Sequence, residues 1–137
     1  MFKKSLIFLS LIAAAASAKP VLTVYTYGGF NTEWGAGPGL KAEFEKVCDC
    51  EVKYAALDHG VMILNRLRME GEQNSADVVL GIDNTLMQAA LDTGLLAPSG
   101  VDTSKLKLPV AWDDKVFVPY DYGWFGFVYD KTRLKTP

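Results

Sequence analysis

The residues able to do chemistry fall in three short clusters: Thr26-Tyr27-Gly28-Gly29, Leu57-Asp58-His59-Gly60 and Gly81-Ile82-Asp83-Asn84. Together they offer an aromatic face, one or two carboxylates, a lone imidazole and backbone N–H donors. A cationic aromatic ligand, or one bearing a phosphate, suits that set. Trp34 stands in a loop between Glu33 and Gly35, where an indole is either buried in packing or offered to a ligand. Tyr120, Asp121 and Tyr122 lie between Pro119 and Gly123, a place where an extended segment bends and can reach a cleft. Catalysis is disfavoured. Asp58 adjoins His59, but sequence neighbours seldom point at one another, and no nucleophile motif such as G-x-S-x-G accompanies them. The chain reads as a binder rather than an enzyme, with no catalytic residue, metal ligand set or cofactor. Plainer roles compete at each position: Tyr27 can close a strand, Asp58 and Asp83 can cap helices, and Gly60 can serve a turn.

The elements that must position these clusters follow from the apolar pattern. Pro20 to Tyr27 is β-branched and aromatic, a buried strand ended by Gly28-Gly29. Leu40, Phe44 and Val47 then recur at helical spacing, with Lys and Glu on the other face. Glu51 to Ala56 reads as a second strand, and Asp58-His59-Gly60 opens a helix over Val61 to Glu70. Arg66, Arg68, Glu70 and Glu72 are assigned to the solvated face of that helix. Ala76 to Ile82 has the continuous apolar character of a third strand buried on both faces. Asp83 or Asn84 caps a third helix, Thr85 to Thr93, which Gly94 stops. This alternation predicts an α/β fold, with right-handed βαβ units on a mostly parallel sheet flanked by helices. The carboxyl ends of such strands carry the three clusters to one edge, and two of the clusters lead to helix N-termini, which favour anions. Leu95 to Asp114 is loop. Val116 to Tyr129, dense in aromatics, is expected as two extended segments belonging to sheet and core.

Lys3-Lys4, the apolar run Leu6 to Ala16 and the small residues Ala16-Ser17-Ala18 form the three-part pattern of a secretory signal peptide. Its apolar core is too short to span a bilayer, which takes about 20 residues. Residues 1–18 are therefore a signal peptide, and the mature chain beginning at Lys19 is expected in the periplasm. The formal net charge is −2 before the two leader lysines are removed, so nucleic acid is a poor partner. Cys48 and Cys50 are the only cysteines. An oxidising compartment permits a bridge, but one intervening residue makes the ring tight, and the pairing stays open.

Several phrases in order resemble the periplasmic thiamine-binding proteins of ABC importers. They are Lys19-Pro-Val-Leu-Thr-Val-Tyr-Thr-Tyr27, Cys48-Asp-Cys50, Leu64-Asn-Arg-Leu-Arg-Met-Glu-Gly71, Ala76-Asp-Val-Val-Leu-Gly81 with Asp83-Asn84, and Phe117-Val-Pro with Asp121-Tyr-Gly123. The resemblance runs over the whole chain. It implies a two-lobed, hinged binding protein of the type II periplasmic fold, a monomer that closes on thiamine, thiamine phosphate or thiamine diphosphate. It also implies delivery to an ABC permease in the inner membrane. On that pattern residues 19–117 supply the first α/β lobe, 118–137 begin the crossover, and the second lobe is missing from this sequence. By position, Tyr27, Trp34, His59 and Gly60 match ligand-facing places. The family carries an acid at the second turn position ahead of Gly60, where this chain has His59; the acid stands one place earlier, which makes Asp58 the candidate for that role. Gly28-Gly29 also replaces a more polar pair. Three alternatives remain open: a binder of another solute, such as iron(III) or a polyamine; a periplasmic thiol or disulfide protein using Cys48 and Cys50; and a non-binding remnant.

Overall fold

The computed structural model describes residues 18–136; the expected signal peptide lies almost wholly outside them. Val21–Tyr27 forms β1, the central strand, because its β-branched and aromatic side chains suit a pleated surface packed on both sides. β2 (Glu51–Leu57) and β3 (Val78–Val79) flank it in the order β2-β1-β3. Both pairings are parallel: β1 and β2 run in register from Val21 opposite Glu51 to Tyr27 opposite Leu57, and Val24 and Tyr25 face Val78 and Val79. The expected parallel α/β sheet is present.

One face of the sheet, Tyr25 and Tyr27 with Ala55, Leu57 and Val79, packs on Ile63 and Leu67 of α2 (Gly60–Glu70). Tyr25 and Ile63 are wholly buried, and Leu67 is nearly so. Burial of each such aliphatic side chain contributes about 1.5–3 kcal/mol. Two residues assigned from sequence to the solvated face of α2 turn inward. Arg66 Nε donates to Glu70 Oε1 at 2.8 Å, the buried Tyr25 hydroxyl donates to Glu70 Oε2 at 2.6 Å, and the Arg66 guanidinium lies 4.0 Å over the Tyr25 ring. The physical reason is that a phenol buried at mid-strand needs a polar partner, and the last turns of α2 provide it. Arg68 and Glu72 remain exposed.

Helix α1 (Gly37–Cys48) starts with Pro38 in its first turn and ends at Asp49, whose φ of 48° is left-handed. Its orientation corrects the sequence pattern. Lys41 Nζ donates to the Val52 carbonyl, and Glu45 Oε1 accepts the Val52 N–H, each at 2.7 Å. The charged side therefore faces β2, while Leu40, Phe44 and Val47 are 50, 47 and 79% exposed. An edge strand leaves backbone groups without partners, and the Lys–Glu side of α1 answers them where an apolar side could not. Cys48 and Cys50 are bridged across the turn from α1 to β2, with Cα atoms 5.2 Å apart.

The third strand is shorter than its apolar run suggests. Only Val78–Val79 is strand, although Asp77 N–H and Leu80 N–H extend the ladder by donating to the Thr23 and Tyr25 carbonyls. It is an edge strand with Val78 43% exposed, not one covered on both faces. Gly81, at φ 107°, turns the chain out of the ladder. Asp83 then caps a turn leading into α3 (Met87–Leu91), narrower than the expected Thr85 to Thr93, and Gly94 at φ 69° follows its end as expected. From 116 to 129 no strand forms, and Trp124, Phe125 and Phe127 are 80, 103 and 104% exposed rather than in sheet or core. Extended segments need a ladder partner, and among the described residues none is supplied. No helix of the described residues is long and apolar enough to cross a membrane.

Candidate functional site

Parallel pairing brings the carboxyl ends of β1, β2 and β3 to one rim, and two glycines make the approach unusually close. A Cβ on Gly60, the first residue of α2, would collide with the carbonyl oxygen of Gly81. A Cβ on Gly81 would stand 2.5 Å from Cδ1 and 3.2 Å from Cε1 of Tyr27. Real side chains do not tolerate such contacts with backbone or a packed ring. Only bare Cα positions allow the turn ahead of α2, the end of β3 and the Tyr27 ring to meet.

Around Tyr27 the rim is aromatic. The 3-10 turn Gly28–Asn31 buries Phe30, whose ring centroid lies 6.0 Å from Tyr27, 5.6 Å from Tyr54 and 5.6 Å from Tyr120. Phe30 is the hub that sequence reasoning missed; its signal was an aromatic residue placed just past a strand's terminal glycines. Burial, and then the neighbouring Tyr120 and Asp121, push the Tyr27 phenol above its ordinary value of 10.0. Tyr120, whose ring meets Phe30, thus approaches Tyr27 from 93 residues along the chain, with Asp121 next to it.

The other candidates divide. Gly35 packs against the Gly29 and Phe30 backbone, which keeps the adjoining Trp34 by the same rim with its side chain free: Trp34 is 87% exposed. Asp58 and His59 are exposed at the mouth of α2. His59 is the N-cap by backbone, its carbonyl accepting the Met62 and Ile63 N–H groups, and no side chain caps this helix. The structural role weighed for Asp58, helix capping, is thus not the one it performs. Asp83 is committed instead: its Oδ1 accepts the Thr85 and Leu86 N–H groups and the Thr85 hydroxyl. Tyr122 is 64% exposed and is not among the aromatic pairs of the rim.

The arrangement offers one wall rather than an enclosed chamber. Two open hollows, of about 630 and 530 Å³, lie elsewhere, one beside Lys19, Cys50 and Lys53 and the other between Arg68 and Gly94. Neither includes Tyr27, Trp34 or Asp58. The rim, rather than either hollow, gathers the aromatic faces, the carboxylate and the backbone donors of a site. Among the described residues no three His, Cys, Asp or Glu side chains are grouped to hold a metal ion.

Comparison with known proteins agrees with this reading of the sheet. No family model matches the chain. It is 57% identical to the thiamine-binding periplasmic protein of Salmonella typhimurium over all 137 residues, which make up 42% of that relative. Against the protein of the same name from Escherichia coli the identity is 56%, again over the whole chain and 42% of the relative. The Haemophilus influenzae protein so named is 44% identical over 126 residues, 91% of this chain and 38% of its own length. The chain thus spans about two fifths of the curated relatives it matches. A solved periplasmic thiamin binding protein superposes with a TM-score of 0.77 at 54% identity, over 93% of this chain and 40% of that one. A Trichodesmium protein in complex with iron and citrate shares the fold alone, at a TM-score of 0.51 and 22% identity over 61% of this chain.

Proposed function

We propose, from this homology to periplasmic thiamine-binding proteins, that the chain is the first lobe of a periplasmic solute-binding protein that captures thiamine and its phosphate esters. In this reading the protein is a binder without enzymatic activity, works as a monomer, and delivers its ligand to an ABC permease in the inner membrane. The observation that carries the reading is the convergence of Tyr27, the Gly60 turn and the end of β3 at one rim, with Trp34 and Asp58 exposed beside it. Each part suits thiamine. The thiazolium is a permanent cation, which an aromatic face holds by about 0.5–1 kcal/mol when exposed and about 2 when desolvated. Asp58 is an exposed carboxylate, without a hydrogen-bond or ion-pair partner among the described residues, that suits the aminopyrimidine N–H donors. The first turn of α2 presents backbone N–H groups, which favour a phosphate ester.

The test is titration calorimetry of the complete gene product with thiamine, thiamine phosphate and thiamine diphosphate. Micromolar or tighter binding of at least one is expected, and no binding in that range would falsify the assignment. Asp58→Ala is expected to weaken binding several-fold, and wild-type affinity in that variant would remove Asp58 from the site.

A further inference from the structure

The Tyr27 ring is held by its two edges in unequal ways. On one edge Gly29 stands off: a Cβ there would be 3.5 Å from Cε2 and 3.6 Å from Cδ2, ordinary van der Waals contact. On the other edge Gly81 comes in close, with a Cβ position only 2.5 Å from Cδ1, 3.2 Å from Cε1 and 3.4 Å from Ile63 Cδ1. Ile63 is fully buried in the core under the sheet. A side chain at Gly81 would thus meet the buried Ile63 on one side and the Tyr27 ring on the other, and the ring, only partly buried, is the group left to move. Gly81 cannot back away from them, because its carbonyl oxygen is seated on the bare Cα of Gly60 at the start of α2.

We propose that Gly81 is the positioning residue for Tyr27: its missing side chain sets where the Tyr27 ring stands at the rim, and hence where a cationic ring can stack. Gly81 acts through Tyr27 and is not itself assigned a ligand contact. The ligand consequence rests on the thiamine reading; the packing consequence does not.

Gly81 also has a φ of 107°, so an added Cβ carries a backbone penalty whatever surrounds it. A double-substitution cycle separates the two effects, since the backbone penalty persists when the ring is removed and the contact does not. The variants are Gly81→Ala, Tyr27→Ala, the pair together, and Gly29→Ala as the opposite-edge comparison. Urea midpoints are read first, without ligand. Gly81→Ala is expected to lower the midpoint less than half as far in the Tyr27→Ala background as in the wild type, while Gly29→Ala shows no such coupling. If Gly81→Ala alone does not fold, recovery of a cooperative transition in the double variant is the same result, and failure of both to fold counts against the proposal. Equal shifts in the two backgrounds overturn it, because they assign the whole effect to backbone strain. Thiamine affinity of the complete gene product is read second. Gly81→Ala is expected to lose roughly tenfold in the wild type and less than about twofold once Tyr27 is alanine. Equal losses in both backgrounds overturn the ligand consequence. A wild type that does not bind thiamine rejects the thiamine reading and leaves the midpoint cycle to decide the packing claim.

Discussion

Replacing Tyr25 by Phe tests the account of how the central strand is tied to α2. The hydroxyl removed is fully buried; it donates to Glu70 Oε2 at 2.6 Å and lies 3.0 Å from Ser75 Oγ. A hydrogen bond to a charged group is worth about 1.5–3 kcal/mol net. The Glu70 side chain is 31% exposed and keeps Arg66 on its other oxygen, so water and Arg66 recover part of the loss. The expected cost is about 1–2 kcal/mol at neutral pH, or a fall of roughly 0.5–1 M in the urea midpoint with the slope unchanged. A pH dependence must accompany it. The Tyr25 hydroxyl, followed by Arg66, holds the Glu70 carboxyl below its ordinary 4.5. A carboxyl lowered in the folded state stabilises fully above its unfolded value and loses that contribution as the pH falls through the folded value. The gap between wild type and Tyr25→Phe should therefore be widest above pH 4.5 and close progressively below it. Urea titrations of both proteins at pH 7 and near pH 3 read the two quantities. Identical midpoints at pH 7 refute the bond, and a gap that does not narrow in acid refutes the assignment to Glu70.

Further outcomes follow from the rim. Gly60→Ala should cost about 1–3 kcal/mol by denaturation, since the added methyl would meet the Gly81 carbonyl oxygen, a backbone atom that cannot swing aside; an unchanged midpoint would deny the close approach. Trp34, 87% exposed, should separate binding from folding: Trp34→Ala shifts stability by no more than about 0.5 kcal/mol yet weakens thiamine binding several-fold in the complete gene product. Full affinity in that variant places the indole outside the site. Asp121→Asn should bring the Tyr27 phenol down in an ultraviolet titration, though not to 10.0, because burial is the larger cause; no movement at all separates Asp121 from Tyr27. Titrated alone, residues 19–137 should bind thiamine no tighter than about 1 mM, or about −4.1 kcal/mol, and nanomolar affinity from this lobe by itself contradicts a one-sided site.

Where hydrophobic period and topology agree, the sequence foretold the structure. β1 is an uninterrupted run of β-branched, leucine and tyrosine residues, α2 buries Ile63, Leu64 and Leu67, and the parallel order follows from strand-helix alternation. Period misled at α1, because a helix beside an edge strand has polar backbone to satisfy, and Lys41 and Glu45 outcompete Leu40 and Phe44 for that side. It misled at 116–129 because aromatic content measures what a segment could bury and not whether a partner stands beside it. Within the site, Tyr27, Gly60 and Tyr120 were legible as positions next to strand ends and bends. Gly81 was not, since close approach of a bare Cα is a property of three-dimensional packing; Phe30 was signalled only as an aromatic residue just past the strand's glycines, and its place as a hub emerges only in three dimensions. The Arg66–Glu70–Tyr25 group was hidden for the same reason: Arg and Glu four residues apart on a helix read as a solvated pair until the phenol between them is located.

The rim also divides by preorganisation, and this bears on how it must work. Tyr27 packs beside Phe30 with Gly81 close against its ring edge, so under the proposed function a ligand stacking there would order little that is new. Trp34 is 87% exposed, and ordering such a side chain costs about 0.5–1.5 kcal/mol. An exposed cation–π contact returns only about 0.5–1 kcal/mol, whereas a desolvated one returns about 2. Trp34 therefore gains nothing by holding a cation against open water and gains about a kcal/mol when a second surface closes over it. An indole carried this way is a contact that strengthens only on closure. Under the proposed function, Tyr27 would supply the initial hold and Trp34 would make a closed state preferable to an open one, the bias a hinged binder needs if its ligand is to drive a conformational change.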